Sequence, residues 1–382
     1  MKFRRLGLFA AAALFAAACN TGSATPAPTA APVATAAATP AATAAATPAA
    51  TPAATEAAST AASACPTKAQ ALTGKTIGVI YLTEAHPYYQ AHMKWTEQFA
   101  ATCGIKLIEV DGKADAAVMS TAMDQLIAQK VDGIIFALLD PAAADPSIND
   151  ALAAGIPVVT FAIKQGANAH VPFVGIPENV ATEAAGKEAA ARFHAKFGAD
   201  AAAKITIVDC PTIQAVVDRS DGFVKGFTET DAKAVVLDRI DGGCAREKAV
   251  KAMEDSIQAH PDVNVVYGGN GDNSLGALAA LQGAGLGTSD KVFLTSHDGS
   301  EPEIQELVKA SSALKLSVAN RPKELSMATL ETLGEVVSGA RAKDQDSNVL
   351  VEAAVLNPDN IDALNQFLHD EYFSTTTLVA TP

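Results

Sequence analysis

Short apolar runs alternate with stretches of helical periodicity from Lys75 to the end of the chain. Such runs are typical of strands buried in parallel sheets, and the stretches between them have the spacing of amphipathic helices. This alternation predicts βα units and an α/β fold. The predicted strands cover residues 76–82, 105–110, 133–138, 158–161, 205–209, 234–240, 263–267, 292–295, 315–318 and 350–355, with a further short run at 171–175.

The pattern runs through the chain twice, which predicts two similar Rossmann-like lobes. Passages from helix to strand echo one another, as in LIAQKVDGIIF and SIQAHPDVNVVYG. The elements after residue 315 are too few for a third domain, so we expect them to complete both sheets. We assign residues 65–162 and 321–348 to the N-terminal lobe and residues 163–320 and 349–382 to the C-terminal lobe. The three hinge segments are expected near residues 161–164, near residues 320–322 and just before Leu350.

The opening of the chain has the pattern of an export signal. Residues 2–5, KFRR, form a basic region, residues 6–15 form an apolar region, and small residues lead to Cys19. This pattern resembles a bacterial lipoprotein signal, in which the cysteine carries a lipid after cleavage, so we assign residues 1–19 to such a signal. Ala16 stands where that signal usually has leucine, and ordinary cleavage near Ala18 is the alternative. Both predict export to the cell envelope, into the periplasm or onto the outer face of the cytoplasmic membrane.

Residues 20–64 consist almost entirely of alanine, threonine and proline. Such a segment cannot bury enough apolar surface to offset the entropy of ordering it, so a disordered tether is predicted. A lipid on Cys19 would anchor this tether, and the rest of the chain then needs no transmembrane helix.

The four remaining cysteines allow three pairings. Export implies an oxidising compartment, and proximity within each half favours the disulfides Cys65–Cys103 and Cys210–Cys244; buried free thiols are the alternative. The cysteine spacings are unlike those of zinc sites, and neither a metal nor a cofactor is predicted. A formal net charge of -14 disfavours nucleic acid and anionic lipid surfaces as partners.

Polar side chains gather directly after the predicted strands. Ligands bind at the carboxyl ends of strands in open α/β sheets, so two facing lobes would bring these side chains around one cleft. Carboxylates, arginine and carboxamides can bond to hydroxyl groups, and tyrosine rings can cover the apolar face of a ring. The pattern predicts a site for a small polyhydroxylated ligand. Its candidate residues are His86, Tyr88, Tyr89, Asp140, Arg219, Asn270, Asp298 and Asn320, with Glu84, Ile163 and His297 as secondary candidates.

Several candidates have a purely structural alternative. Asp140 precedes a proline and can serve as a turn residue. Arg219 can form a surface ion pair with a neighbouring aspartate, and Asn270 can cap the helix that follows it. Tyr88 and Tyr89 can belong to the core, and we expect at least one of them to face the cleft.

Two stretches invite an enzymatic interpretation, and neither supports it. Ser296, His297 and Asp298 are consecutive, which places them poorly to face one another as a catalytic triad. Residues 268–276, GGNGDNSLG, do not spell the dinucleotide motif GxGxxG. An exported enzyme acting on sugars stays an alternative, with Asp140 and Asp298 as its acid and base. We predict that the protein is not an enzyme.

Six short motifs follow one another across residues 75–356. They are HPYY at 86–89, DP at 140–141, AVVDRSDGF at 215–223, Asn270 followed by LGAL at 275–278, DG at 298–299 and NRP at 320–322. In this order they resemble the type I periplasmic sugar-binding proteins, the ribose-binding-like solute receptors of ABC transporters. The resemblance covers nearly the whole part of the chain that is predicted to fold.

The resemblance implies two α/β lobes, joined by a three-segment hinge, that close on a sugar. The residues implied to hydrogen-bond the sugar are Asp140, Arg219, Asn270, Asp298 and Asn320, and those implied to enclose it are His86, Tyr88 and Tyr89. The chain departs from the family at Ala162, Ile163, Gly271 and His297, where relatives have a polar residue after strand four, an aspartate and an aromatic residue. These departures bear on which ligand is bound.

The resemblance further implies a function. It describes a monomeric, extracytoplasmic solute-binding lipoprotein that captures a monosaccharide by lobe closure and delivers it to an ABC transporter permease. The lipid anchor would be its contact with the membrane. A membrane-tethered sensor that passes the closed form to a signalling receptor is the alternative.

Overall fold

The computed structural model describes residues 64–381, and these form two α/β lobes. The predicted signal, Cys19 and residues 20–63 of the predicted tether lie outside the described residues. None of the helices within residues 64–381 is long and apolar enough to cross a membrane.

The first lobe is built on a six-stranded sheet in which every pairing is parallel. The strands run in the spatial order β11-β5-β4-β3-β1-β2. They are β1 (Thr76–Tyr81), β2 (Lys106–Asp111), β3 (Gly133–Phe136), β4 (Val158–Phe161), β5 (Pro172–Gly175) and β11 (Ser347–Leu350). Its helices are α1 (Pro87–Cys103), α2 (Ala116–Gln129), α3 (Pro141–Ala153) and α9 (Pro322–Val337), with a 3-10 helix at Lys68–Leu72.

The second lobe repeats this plan, with spatial order β12-β10-β9-β8-β6-β7. Its strands are β6 (Lys204–Asp209), β7 (Val235–Asp241), β8 (Val265–Gly268), β9 (Phe293–Asp298), β10 (Leu314–Ala319) and β12 (Ala354–Leu356). β12 is antiparallel to β10, and the other pairs are parallel. The helices are α4 (Glu178–Phe197), α5 (Gln214–Thr230), α6 (Arg246–Ala259), α7 (Gly271–Gly283), α8 (Glu301–Leu307) and α10 (Ile361–Tyr372). The predicted fold class is confirmed.

The central strands are buried because helices cover both faces of each sheet. All residues of β3, β4, β8 and β9 are buried, whereas the edge strands β2 and β7 are largely exposed or half-buried. Strands covered on both faces read as continuous apolar runs. The sequence pattern therefore located these central strands to within a few residues.

Glycines let helices α4 and α5 approach each other closely. A Cβ atom at Gly186 of α4 would clash with the backbone oxygen of Phe223, and one at Gly226 of α5 would clash with that of Glu183. Only residues without a side chain permit such backbone contact between helices. The close approach brings the beginnings of α4 and α5 together, which matters for the site described below.

Strand pairing corrects one predicted lobe boundary. Residues 163–175 were assigned to the C-terminal lobe, but β5 pairs with β4 through Phe161 and Val174 in the first sheet. The chain first crosses to the second lobe between Gly175 and Glu178, not at residues 161–164. The second crossing lies between Ala319 and Pro322, as predicted, and the third lies between Leu350 and Ala354, just after the predicted place.

Both predicted disulfides are present. Cys65 pairs with Cys103, with the Cα atoms 5.0 Å apart. Cys210 pairs with Cys244 at a Cα separation of 5.6 Å. The second disulfide joins the chain just after β6 to the chain just after β7, so it ties together two strand ends of the second sheet.

Candidate functional site

A cavity of about 440 Å³ lies where the carboxyl ends of the two sheets meet. Its walls come from the segments after β1 to β5 in the first lobe and after β6 to β10 in the second. This is the position expected for ligands of open α/β sheets. Seven of the eight primary candidates line it, together with the secondary candidate Ile163; the seven are His86, Tyr88, Tyr89, Arg219, Asn270, Asp298 and Asn320.

Arg219 holds the centre of a buried charged cluster. It donates two hydrogen bonds to Glu178, from Nε to Oε2 at 2.9 Å and from Nη2 to Oε1 at 2.8 Å. Its Nη1 donates to Asp298 Oδ1 at 3.4 Å and to the carbonyl oxygen of Gly269 at 3.2 Å. The paired geometry with Glu178 is the strong form of an ion pair. The Arg219 side chain is only 12% exposed, so the surface ion pair considered from the sequence is not what it forms.

Glu178 is a site residue that the sequence reasoning missed. It lines the cavity, and its side chain is 11% exposed. Burial raises the pKa of its carboxyl, while the charge and hydrogen bonds of Arg219 act in the opposite direction. It opens α4, shortly after β5 ends at Gly175. The strand-end rule would have found it, had the rule been applied to the short run at 171–175.

Asp298 ends β9 and accepts hydrogen bonds from both lobes. Its Oδ2 accepts from the backbone N–H of Gly271 at 2.9 Å and faces His86 Nε2 at 3.4 Å. Its Oδ1 accepts from Asn320 Nδ2 at 3.0 Å and from Arg219. Burial by itself would raise the pKa of this carboxyl, but His86 and Arg219 outweigh burial and hold the pKa well below its usual range. Asp298 is therefore an anionic acceptor at the cavity wall.

The backbone of Asp298 is strained as well. Its φ angle is 108°, a region that residues with a side chain rarely adopt. Such outliers persist where the surrounding structure holds them, and they concentrate at functional sites. Hydrogen bonds hold it here on the side chain and on the backbone, because the Asn320 N–H and the Tyr372 hydroxyl donate to its carbonyl oxygen.

His86 connects the two lobes. It caps helix α1, since its Nδ1 accepts from the backbone N–H of Tyr88 at 3.3 Å. Because Nδ1 is an acceptor, the ring proton is on Nε2, which points at Asp298 of the other lobe. This contact requires the lobes to be close together.

Both tyrosines of the HPYY motif line the cavity. The rings of Tyr88 and Tyr89 lie edge to face, with centroids 4.9 Å apart, and each side chain is largely buried. Burial raises the pKa of both hydroxyls, so both stay protonated. We expected at least one of them to face the cleft, and the structure places both there.

Asn270 serves as both a cap and a cavity residue. Its Oδ1 accepts from the backbone N–H of Asn273 at 2.9 Å at the start of α7. Asn270 also lines the cavity. Both roles considered from the sequence are therefore compatible with its position.

The structure does not bring Asp140 to the cavity, which corrects its assignment. Its Oδ1 accepts from the backbone N–H of Ala143 at 3.0 Å and so caps α3. A carboxylate held by a helix N-terminus is already satisfied. The acid and base pair of Asp140 and Asp298 that an exported enzyme would need is not formed.

Two secondary candidates also lie away from the cavity wall. Glu84 sits at a separate groove on the surface, where its backbone N–H donates to Asp111. His297 is fully buried behind the wall, with Nδ1 3.4 Å from the Tyr267 hydroxyl and Nε2 3.5 Å from Glu178. Burial and the nearby Arg219 charge lower its pKa well below the ordinary value, so His297 is a neutral neighbour of Glu178.

A second buried carboxyl, Glu303, lies behind Asp298. Its Oε2 accepts from the backbone N–H and the hydroxyl of Ser300. Burial and the charge of Asp298 raise its pKa to about 7. An added Cβ at Gly271 would lie 2.7 Å from Glu303 Oε2, so glycine replaces the family's aspartate where this carboxyl comes close. Of the two neighbouring carboxyls, Glu303 therefore holds the proton more readily.

The melting temperature of the Glu303→Gln variant minus that of the wild type is expected to increase as the pH rises from about 4.5 to about 7. An acid whose pKa is raised on folding adds stability that is complete below its unfolded pKa and is lost as the pH rises through its folded pKa. Glutamine stays neutral throughout and keeps the cap on α8. Thermal melts between pH 4 and about pH 8 measure the difference. Glu254→Gln, at an exposed position of α6, is the control; a constant difference for Glu303→Gln would contradict this account.

Within residues 64–381 no cluster of histidine, cysteine, aspartate and glutamate could hold a metal ion. The charged groups of the cavity are instead paired with one another. The site can therefore offer hydrogen bonds to a neutral polar ligand through groups that are already held in place.

Comparison with known proteins agrees with this fold. Residues 77–341 match the model of the periplasmic binding protein domain. The ribose import binding protein of Bacillus subtilis (strain 168) is 27% identical over 270 residues, covering 70% of this chain and 83% of that protein. The D-apiose import binding protein of Paraburkholderia graminis is 26% identical over 233 residues, covering 60% of this chain and 71% of that protein.

Solved structures with the same fold belong to solute-binding proteins. One is an ABC transporter solute-binding protein from Mycobacterium smegmatis with bound glycerol, with a TM-score of 0.68 and 25% identity, covering 80% of this chain and 99% of that one. Another, from Actinobacillus succinogenes with bound D-allose, has a TM-score of 0.67 and 21% identity, covering 76% of this chain and 99% of that one. The chain belongs to the periplasmic binding protein family, whose members are solute-binding receptors and not enzymes.

Proposed function

We propose that this protein captures a small polyhydroxylated ligand, a monosaccharide, in the cavity between its lobes. The supporting observation is the network of Arg219, Asp298 and Asn320 on the cavity wall, with Asn270 beside it. Carboxylates accept hydrogen bonds from sugar hydroxyls, and arginine and carboxamides donate to hydroxyl oxygens. Tyr88 and Tyr89 offer ring surface to the apolar face of a sugar.

Capture proceeds by closure of the two lobes. Arg219, Asn270 and Asp298 all belong to the second lobe, so the ligand binds there first. The first lobe then adds its aromatic residues and His86, whose contact with Asp298 forms as the lobes meet. Ligand contacts made only in the closed form shift the population toward it.

The closed form delivers its ligand to an ABC transporter permease, and a lipid on Cys19 keeps the protein at the membrane. The export pattern of residues 1–19 and the import proteins among its relatives support this role.

Fractionation of cells that make the wild type or Cys19→Ala tests the lipid anchor. We expect the wild type with the membranes and the variant released; release of both would contradict the anchor.

A thermal-shift screen of pentoses, hexoses and polyols tests the ligand class. A ligand that binds only the folded form stabilises it, by about 2.7 kcal/mol when present at about 100 times its dissociation constant. We expect a subset of sugars to raise the melting temperature, with amino acids of similar size as the control panel. Stabilisation by amino acids but by none of the sugars would contradict the proposed function.

A further inference from the structure

The cavity has a polar end and an apolar end. At the polar end, hydrogen bonds connect His86, Glu178, Arg219, Asp298 and Asn320 into one network. The donors and acceptors of this end suit the hydroxyls of a sugar. The sugar ring of the proposed function therefore belongs here.

The apolar end is a contiguous hydrophobic wall. Leu82, Leu139, Ile163 and Ile213 line the cavity and pack into the same hydrophobic cluster, although Ile213 comes from the second lobe and the others from the first. Asp140, the polar residue expected beside this wall, is turned away as the cap of α3. Ile163 follows β4, at a place where the family resemblance implies a polar side chain, so this departure makes the wall more apolar.

The wall continues toward the edge strands of both sheets. Ala114 follows β2, and Cys244 and Ala245 follow β7. Cys244, which is disulfide-bonded to Cys210, is part of this wall. Sulfur is a soft, polarisable surface that favours apolar and aromatic contact. The hydroxyls of Thr83 and Thr212 are the polar side chains among the lining residues here.

A free sugar that extended along this apolar wall would place hydroxyls where they find few hydrogen-bond partners. A hydroxyl buried without a partner costs about 1 to 3 kcal/mol. An apolar group in the same place instead stabilises the complex by its burial. The volume of about 440 Å³ also falls in the range of about 300 to 1,000 Å³ found for pockets that enclose drug-sized ligands. The cavity thus fits a ligand with hydroxyls at one end and apolar surface at the other.

We propose that the ligand is a glycoside, in which a monosaccharide at the polar end carries an apolar aglycone that packs against Leu82, Leu139, Ile163 and Ile213. This proposal rests on the proposed function, since it keeps the sugar ring at the network of Arg219 and Asp298. It adds that the aglycone contributes to affinity.

Calorimetric titration with matched probes tests the proposal. For each of several monosaccharides, the probes are the free sugar, its methyl glycoside and its phenyl glycoside in both anomers. We expect a phenyl glycoside to bind at least about ten-fold more tightly than the free sugar and the methyl glycoside, because only the phenyl ring reaches the apolar wall. Free sugars that bind as tightly as their phenyl glycosides would overturn the glycoside proposal and leave sugar binding standing. Failure of every probe to bind would overturn the proposed function as well.

A substitution in the apolar wall provides a second test, of where the aglycone packs. Ile213 is the N-cap position of α5 and is half-buried, so Ile213→Asn is compatible with the fold while it places an amide in the wall. We expect the preference for the phenyl glycoside to fall about ten-fold, with a cooperative thermal melt as proof of folding. Val379→Asn, at an exposed apolar residue far along the chain, is the control and should keep the preference. An undiminished preference in Ile213→Asn would overturn the assignment of the aglycone to this wall.

Discussion

Replacing Arg219 by alanine is expected to abolish detectable sugar binding and to lower the melting temperature. The substitution removes the cation between Glu178 and Asp298, which then remain buried with their charges uncompensated. Removing one partner of a buried ion pair costs about 3 to 5 kcal/mol of stability. The ligand also loses its strongest donor, so we expect the affinity to fall by at least about 100-fold. Calorimetric titration and thermal melts measure the two effects.

Arg246→Ala is the matched control for this experiment. Arg246 pairs with Asp272 at 3.1 Å, but its side chain is 52% exposed. Exposed ion pairs contribute about 0 to 1 kcal/mol, so we expect both stability and sugar affinity to stay near those of the wild type. Wild-type affinity in Arg219→Ala would refute the site.

Replacing Asp298 by asparagine is expected to have a comparable effect on binding, although the two side chains have the same shape. Each carboxylate oxygen faces two donors, Oδ1 facing Arg219 and Asn320 and Oδ2 facing Gly271 and His86. Whichever way the amide is placed, its NH₂ group meets two donors and cannot accept from them. We expect at least about 100-fold weaker sugar binding and a lower melting temperature.

Asp262→Asn is the control for the charge change alone. Asp262 is 56% exposed and pairs with Lys204 at the amino end of the second sheet, away from the cavity. We expect its binding isotherm to match that of the wild type. If Asp298→Asn also bound the sugar normally, the network would not be part of the binding site.

Much of the fold could be predicted from the sequence because strands that are buried on both faces appear in it as continuous apolar runs. The strand predicted at 205–209 is β6 at Lys204–Asp209, and the one predicted at 292–295 is the first part of β9 at Phe293–Asp298. The disulfides followed from proximity along the chain. Cys65, just before the 3-10 helix, pairs with Cys103 at the end of α1, and Cys210 and Cys244 follow the neighbouring strands β6 and β7. Local pattern and tertiary packing agree in these elements.

The lobe boundary was wrong because local pattern does not say which sheet a short strand joins. β5 has only four residues, and the crossing follows it directly. Its place in the first sheet depends on pairing with the nearby β4 and with β11, which lies far away in the sequence. Missing that pairing also hid Glu178, the residue that follows the crossing.

The roles of Asp140 and His297 needed three-dimensional information for different reasons. An aspartate before Pro141 suits both a helix cap and a strand-end ligand contact, and the hydrogen bond to Ala143 decides between them. His297 neighbours Asp298, but successive strand residues point to opposite faces. That alternation puts His297 behind the cavity wall, where it lies beside Glu178.

A crystal structure with the sugar that stabilises the protein most in the thermal-shift screen tests directly whether the cavity between the lobes is the sugar site. We predict one sugar ring between the two lobes, with its hydroxyls hydrogen-bonded to Arg219 and Asp298 and with Tyr88 or Tyr89 against its apolar face. A sugar bound outside this cavity, or one that leaves Arg219 and Asp298 without a ligand contact, would contradict it.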